Sequence, residues 1–323
     1  MTNRRQLLAN AALLFAGLEV NAHMNAARAD NPTPPGKMAF IKNGAVWEWS
    51  NGETSQLIDG TDITSARWSP SGGSLLYVRS GNSYSDLFIY NLDVQTETQL
   101  TFNQPDTQEG TPEYAAAASW AIDPSWSTSG AIGFISDAGS SNNTFALWML
   151  DSAYAGSPYL ARVIKNEDNI DSLSLAPDGA IGAYVERLRN DDGTSTTNVV
   201  LRDLTDGKIF ALPGAGDGAF DPAFGPDGQS VAFAQRDASR MTDIWIANRA
   251  GGAAVRVTTG FQATNPVWSG DGTWIAFIRM IDFNFQVWVV PMTGTTAGTP
   301  FELFDANGID VPSGLSWITP APS

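Results

Sequence analysis

A chain of 323 residues with 31 glycines, 18 prolines and 11 tryptophans, and only 16% charged residues, favours many short strands and tight turns over long surface helices. It has no cysteine and a single histidine, His23. Thiol nucleophiles, Ser-His-Asp triads, imidazole acid–base chemistry and ordinary zinc, copper or haem ligation are therefore excluded beyond that position.

In chain order, Arg4 and Arg5 precede the apolar run from Ala9 to Leu18 and then Ala27-Arg28-Ala29, the order of a signal peptide over residues 1–29. Cleavage is expected after Ala29, with Val20-Asn21-Ala22 as an earlier alternative. Thr2-Asn3-Arg4-Arg5-Gln6-Leu7-Leu8 matches a twin-arginine signal in part, and a Sec signal fits equally well. Either route predicts a periplasmic or extracellular protein; a cytoplasmic helix is the competing reading of these residues. The run is too short for a membrane span, and no later segment approaches twenty apolar residues. Residues 30–37, rich in proline, read as a linker. Discounting the leader leaves 15 basic and 33 acidic residues, a charge of −18. That field repels nucleic acid and favours cationic partners or calcium.

From residue 38 onward one pattern recurs: an aromatic or Leu anchor, a small residue, a Pro/Ser-Asp/Ser-Gly turn, then an apolar run. Copies are Trp68-Ser69-Pro70-Ser71-Gly72, Trp126-Ser127-Thr128-Ser129-Gly130, Leu175-Ala176-Pro177-Asp178-Gly179, Phe224-Gly225-Pro226-Asp227-Gly228 and Trp268-Ser269-Gly270-Asp271-Gly272. Trp317 anchors a terminal fragment, so the anchors are 58, 49, 49, 44 and 49 residues apart. That period suits one four-stranded antiparallel blade per repeat. Runs such as Trp274-Ile275-Ala276-Phe277-Ile278 are apolar on both faces, as strands sandwiched between blades must be. The following strand carries an aromatic in four of five repeats, and the last strand is short, as in Gln99-Leu100-Thr101. The Asp-Gly elements are expected to be structural turns.

The two ends complement each other. Residues 38–58 supply three strands and lack an inner one, while Leu315-Ser316-Trp317-Ile318 supplies that strand alone. The predicted fold is an all-β, six-bladed β-propeller over residues 38–320. Its ring is closed by pairing of the C-terminal strand with N-terminal strands.

These repeats resemble those of the TolB-like propeller family, which read approximately Pro-x-Trp-Ser-Pro-Asp-Gly, Ile-Ala-Phe, Ile-Tyr/Trp and Leu-Thr. The resemblance covers about residues 38–318 and implies a periplasmic or extracellular ring that binds proteins or peptides. The chain departs from TolB in lacking room for an α/β domain before the propeller. Similar propellers cap the prolyl oligopeptidase hydrolases, but no G-x-S-x-G elbow follows here.

Length variation falls in the loops at 102–122, 137–144, 186–198, 237–243 and 279–286, all on one face, which is the expected recognition face. Glu109, Glu113, Tyr114 and Trp120, with Arg240, Phe283 and Phe285, could form an aromatic and charged rim for a protein, peptide or glycan; a packed loop plugging the channel mouth is the alternative. The oxygen-rich run containing Asp168, Asn169 and Asp171 is a candidate calcium site, or a solvated acidic loop. The expected function is a non-catalytic recognition or scaffold module, acting as a monomer without nucleic acid. The alternative is a carbohydrate-active or lactone-cleaving enzyme using carboxylates and a divalent cation; oligogalacturonate lyases share such repeats but coordinate their metal through histidines missing here.

Overall fold

The first five anchors each end an inner strand, and the turn after each reverses the chain with a Gly at positive φ, capped by an Asp side chain in the third to fifth repeats and carrying Ser71 or Ser129 in its place in the first two. In the fourth repeat Asp227 Oδ1 accepts the N–H groups of Gln229 and Ser230, both at 2.9 Å, and Gly228 has φ 63°. The strand that follows is buried on both faces, as at Leu75–Val78 and Trp274–Ile278. The structure is a computed structural model that describes residues 31–140, 144–151, 159–162 and 169–319.

Six antiparallel sheets result. In order from the channel outward, blade 1 comprises Ile63–Trp68, Ser74–Ser80, Ser85–Asn91 and Thr96–Gln99. Blade 2 comprises Ala121–Trp126, Ile132–Ser136, Ala146–Asp151 and Tyr159–Arg162. Blade 3 comprises Asn169–Leu175, Ile181–Arg189, Ser195–Asp203 and Ile209–Ala211. Blade 4 comprises Ala219–Phe224, Ser230–Arg236, Thr242–Asn248 and Val255–Arg256. Blade 5 comprises Ala263–Trp268, Trp274–Ile281, Asn284–Thr293 and Phe301–Asp305, with a small extension at Thr296–Ala297.

Blade 6 closes the ring: Leu315–Ile318 pairs antiparallel with Lys37–Lys42, placing Trp317 opposite Met38 and Leu315 opposite Phe40, and Ala45–Ser50 and Glu53–Ile58 complete the sheet. Its first strand starts at Lys37, one residue inside the expected linker. The expected leader, residues 1–29, lies outside the described residues. Six hydrophobic clusters fill the six interfaces between neighbouring blades, among them Met38, Trp49, Ile278 and Trp317 between blades 5 and 6. The stabilising apolar area thus lies between sheets, and each blade depends on both neighbours.

The Leu-Thr that ends a repeat has a mechanical role. Thr101 Oγ1 accepts the N–H of Leu87 and donates to Asp86 Oδ1, and Asp86 also accepts from the Asn103 N–H and Gln99 Nε2. Blade 4 repeats the device with Asp243, Thr258, Ile244 and the N–H groups of Gly260 and Phe261. It differs in having Arg256 in the place of Gln99 and a second loop N–H, that of Phe261, on the carboxylate. Both carboxylates are almost fully buried, so the loop leading to the next blade is held from inside.

Candidate functional site: the central channel

The inner strands face the channel with an unpaired edge, and the sequence handles that edge in two ways. At the residue before the anchor, Ser125 accepts the Leu175 N–H at 2.9 Å, Ser174 the Phe224 N–H at 3.0 Å and Ser316 the Trp68 N–H at 2.9 Å. Each serine therefore staples its own inner strand to the next, satisfying an edge donor. Arg67, Ala223 and Val267 occupy the same position in blades 1, 4 and 5.

Three residues before the anchor the inner strand kinks. Asp123, Ser172, Asp221, Asn265 and Gly314 have φ of 47°, 58°, 50°, 51° and 66°. The ladder slips at the same place in blades 2 to 5. Asp, Asn and Gly tolerate this left-handed conformation best, and such bulges re-aim side chains. Here they build a polar ring. Asp123 Oδ2 accepts the Ser172 N–H at 2.8 Å, Asp221 accepts the Asn265 N–H at 3.1 Å and the Thr264 hydroxyl, and Ser172 Oγ lies 3.3 Å from Asp221 Oδ1. Asn265 Nδ2 donates to the Val311 carbonyl at 2.7 Å, and Arg67 Nη1 to the Ser313 carbonyl at 2.9 Å. Blades 5 and 1 thereby grip the 3-10 turn, Val311–Ser313, that leads into blade 6.

The channel is a cavity of about 340 Å3 running from this ring to the Asp-Gly turn ends, where Pro70, Thr128, Pro177, Pro226 and Gly270 line it. Its charged lining is Arg67, Asp123 and Asp221. Burial pushes the Asp123 carboxyl above its ordinary value against the Ser172 N–H, and Asp171 and Asp221 add to the rise while Arg67 opposes it. Burial likewise raises Asp221, and lowers Arg67. These side chains keep partial contact with channel water, so depth within the ring, rather than complete exclusion of solvent, is the cause. No ion pair joins Arg67 to either carboxylate among the described residues.

Two of the expected rim residues pack inward. Residues 112–117 form a short helix capped by Thr111, whose Oγ1 accepts the Tyr114 N–H at 3.2 Å. Tyr114 is 3% exposed beneath that helix, Glu109 accepts from Asn82 Nδ2 at 2.7 Å, and the Trp120 N–H donates to Asp137 at 2.7 Å. The excursion thus folds onto the 81–84 loop of blade 1, and none of residues 102–120 lines the channel. Glu113 and Arg240 are exposed, and Phe283 is 94% exposed at a hairpin tip. Phe285 turns inward against the core between blades 5 and 6. Packing of Tyr114 and Phe285 therefore removes two of the aromatic groups from the proposed rim.

Of the calcium candidates, Asp168 and the side chain of Asn169 lie outside the described residues. Asp171 accepts from Arg187 Nε at 2.6 Å and Ser172 Oγ at 3.0 Å. Among the described residues no group of three metal-ligating side chains occurs. The sequence did carry a signal for the polar ring: the residue three before each of the last five anchors is Asp, Ser, Asp, Asn or Gly.

The fold and its channel define an all-β, six-bladed propeller with a charged central cavity. No family model matches the chain. Among solved structures it is similar to TolB from Acinetobacter baumannii, with a TM-score of 0.66 at 15% identity over 87% of this chain and 66% of that one. It is also similar to a TolB candidate from Agrobacterium tumefaciens, with a TM-score of 0.62 at 18% identity over 90% of this chain and 100% of that one. In sequence, 106 residues are 29% identical to the uncharacterized peptidase YuxL of Bacillus subtilis (strain 168). That match covers 32% of this chain and 16% of the relative.

Proposed function

We propose that this protein is an exported, periplasmic or extracellular recognition propeller that binds a protein, peptide or glycan without transforming it. The observation that carries this reading is the cavity between the polar ring and the turn ends, with one guanidinium and two carboxylates that do not neutralise one another by contact. Charged groups held deep without an ion-pair contact cost stability, and fit a site kept for a ligand. The TolB likeness and the strongly acidic composition are consistent with a cationic or peptide partner. Among the described residues no helix is long and apolar enough to cross a membrane.

The test is retention from a bacterial envelope fraction on the immobilised protein, compared with a variant carrying both Asp123→Asn and Asp221→Asn. Specific retention by the wild type, lost in the variant, supports the reading. Turnover of a captured peptide or glycan contradicts it.

One observation favours a second reading, a hydrolase or lyase. Asp123 and Asp221 both engage Ser172 in one cavity, and both are raised above the usual carboxylate range. Such a pair could serve as acid and base. The partial likeness to a peptidase points the same way, and turnover that Asp221→Asn abolishes would establish it.

A further inference from the structure

The chemistry of the channel narrows the ligand. Arg67 uses Nη1 for two backbone carbonyls, those of Ala66 and Ser313, and its Nε and Nη2 have no partner among the described residues. Asp123 spends one oxygen on the Ser172 N–H. A neutral glycan would bring no opposite charge to one guanidinium and two carboxyl groups that make no ion-pair contact with one another, at a desolvation cost that hydroxyl groups only partly offset. A simple amine answers the carboxylates and a simple anion answers Arg67, and each leaves the other side unmet. A molecule with both charges a few ångströms apart meets all three.

Two further features agree. A volume of about 340 Å3 lies at the small end of ligand pockets, which span about 300–1,000 Å3, and suits a dipeptide rather than a folded domain. Trp68, Trp126 and Trp268 line the same cavity, and their indole N–H groups are buried without a hydrogen-bond partner. They offer an apolar wall for a small side chain.

We propose that the channel binds a dipeptide-sized zwitterion, its ammonium between Asp123 and Asp221 and its carboxylate on the free edge of Arg67. This rests on the recognition reading and names the ligand class for that site. The kinks that place Asp123 and Asp221 and the Arg67–Ser313 contact hold these groups before a ligand arrives, so little ordering is required on binding.

The experiment is calorimetric titration of the full chain with Ala-Ala, acetyl-Ala-Ala and Ala-Ala-amide. The expected result is binding of Ala-Ala at one site, weakened about tenfold or more when either end is blocked, the size expected for one lost charge-assisted contact. Arg67→Met should abolish the difference between Ala-Ala and its amide, and Asp123→Asn the difference between Ala-Ala and its acetyl form. The comparison of the three ligands on the unmodified chain stands even if a variant fails to fold. Equal affinity for all three, or no heat with Ala-Ala, overturns the proposal; if an envelope partner is still retained, the recognition reading survives. Binding with the stated preference accompanied by hydrolysis supports the site and overturns the non-catalytic reading.

Discussion

Removing the Trp317 side chain tests the closure of the ring at its one non-covalent joint. Trp317 is 7% exposed, packs with Met38, Phe40, Trp49 and Trp274, and donates from Nε1 to the Pro35 carbonyl at 2.9 Å. Core Trp→Ala changes cost about 3–5 kcal/mol, and the lost hydrogen bond is worth about 1 kcal/mol of this. Against a total stability of about 5–15 kcal/mol for an ordinary domain, that is a large fraction. The loss should also be localised, because the inner strand of blade 6 has only four residues and its departure exposes the Lys37–Lys42 edge. Denaturant unfolding gives the magnitude, and amide exchange over Lys37–Lys42 gives the location. Leu175→Ala, at the anchor of blade 3, should cost about 2–5 kcal/mol without accelerating exchange there. A Trp317→Ala loss below about 1 kcal/mol, or unchanged exchange at the closing edge, would refute the argument that the chain ends lock the propeller.

Other outcomes follow from the same contacts. Ser125→Ala, Ser174→Ala and Ser316→Ala should each destabilise by about 1–3 kcal/mol in denaturant titrations, since each strands an edge N–H, while Ala223→Ser should stabilise by supplying the missing staple to blade 5. Asp86 and Asp243 should respond to acid in opposite directions. Burial works to raise Asp243, but Arg256 and the loop N–H groups hold it below its ordinary value, so its contribution is present at neutral pH and lost as pH falls through its folded pKa. Burial raises Asp86, with Gln99 in place of Arg256, so protonation favours the fold as pH falls. Arg256→Gln should therefore weaken acid sensitivity in a pH series of thermal unfolding. Millimolar calcium should leave Tm unchanged because Arg187 holds Asp171; a rise in Tm abolished by Asp171→Asn would restore the calcium site.

The fold was legible because it is written six times. The anchors, the Asp-Gly turns and the doubly buried strands follow from local turn chemistry and from sandwiching between sheets, and both leave marks in every repeat. The closing pairing of the C-terminal strand with the N-terminal strands followed from counting strands at the two ends. The site was less legible because attention to loop length favours the face where insertions are tolerated. In the structure that variation is spent on packing, as at Tyr114 and Phe285. The channel ring depends on backbone conformation at Asp123, Ser172, Asp221 and Asn265, which the strand period conceals and which only alignment of the repeats on their anchors exposes. Arg67 gave no such sign, since the serines at equivalent positions serve the sheet edge and only the blade order brings its guanidinium to the carboxylates.

If the channel holds charges for a ligand, it does so at a cost to stability. Thermal unfolding of Asp123→Asn without ligand at neutral pH tests it most directly. An amide carbonyl can still accept the Ser172 N–H, while the carboxylate, raised by burial, costs the fold stability as pH rises from its unfolded through its folded pKa. The expected result is a Tm above that of the unmodified protein, with a gain that grows as pH rises through the folded pKa and then levels off. A lower Tm at every pH would show that Asp123 is a structural strut and contradict the account.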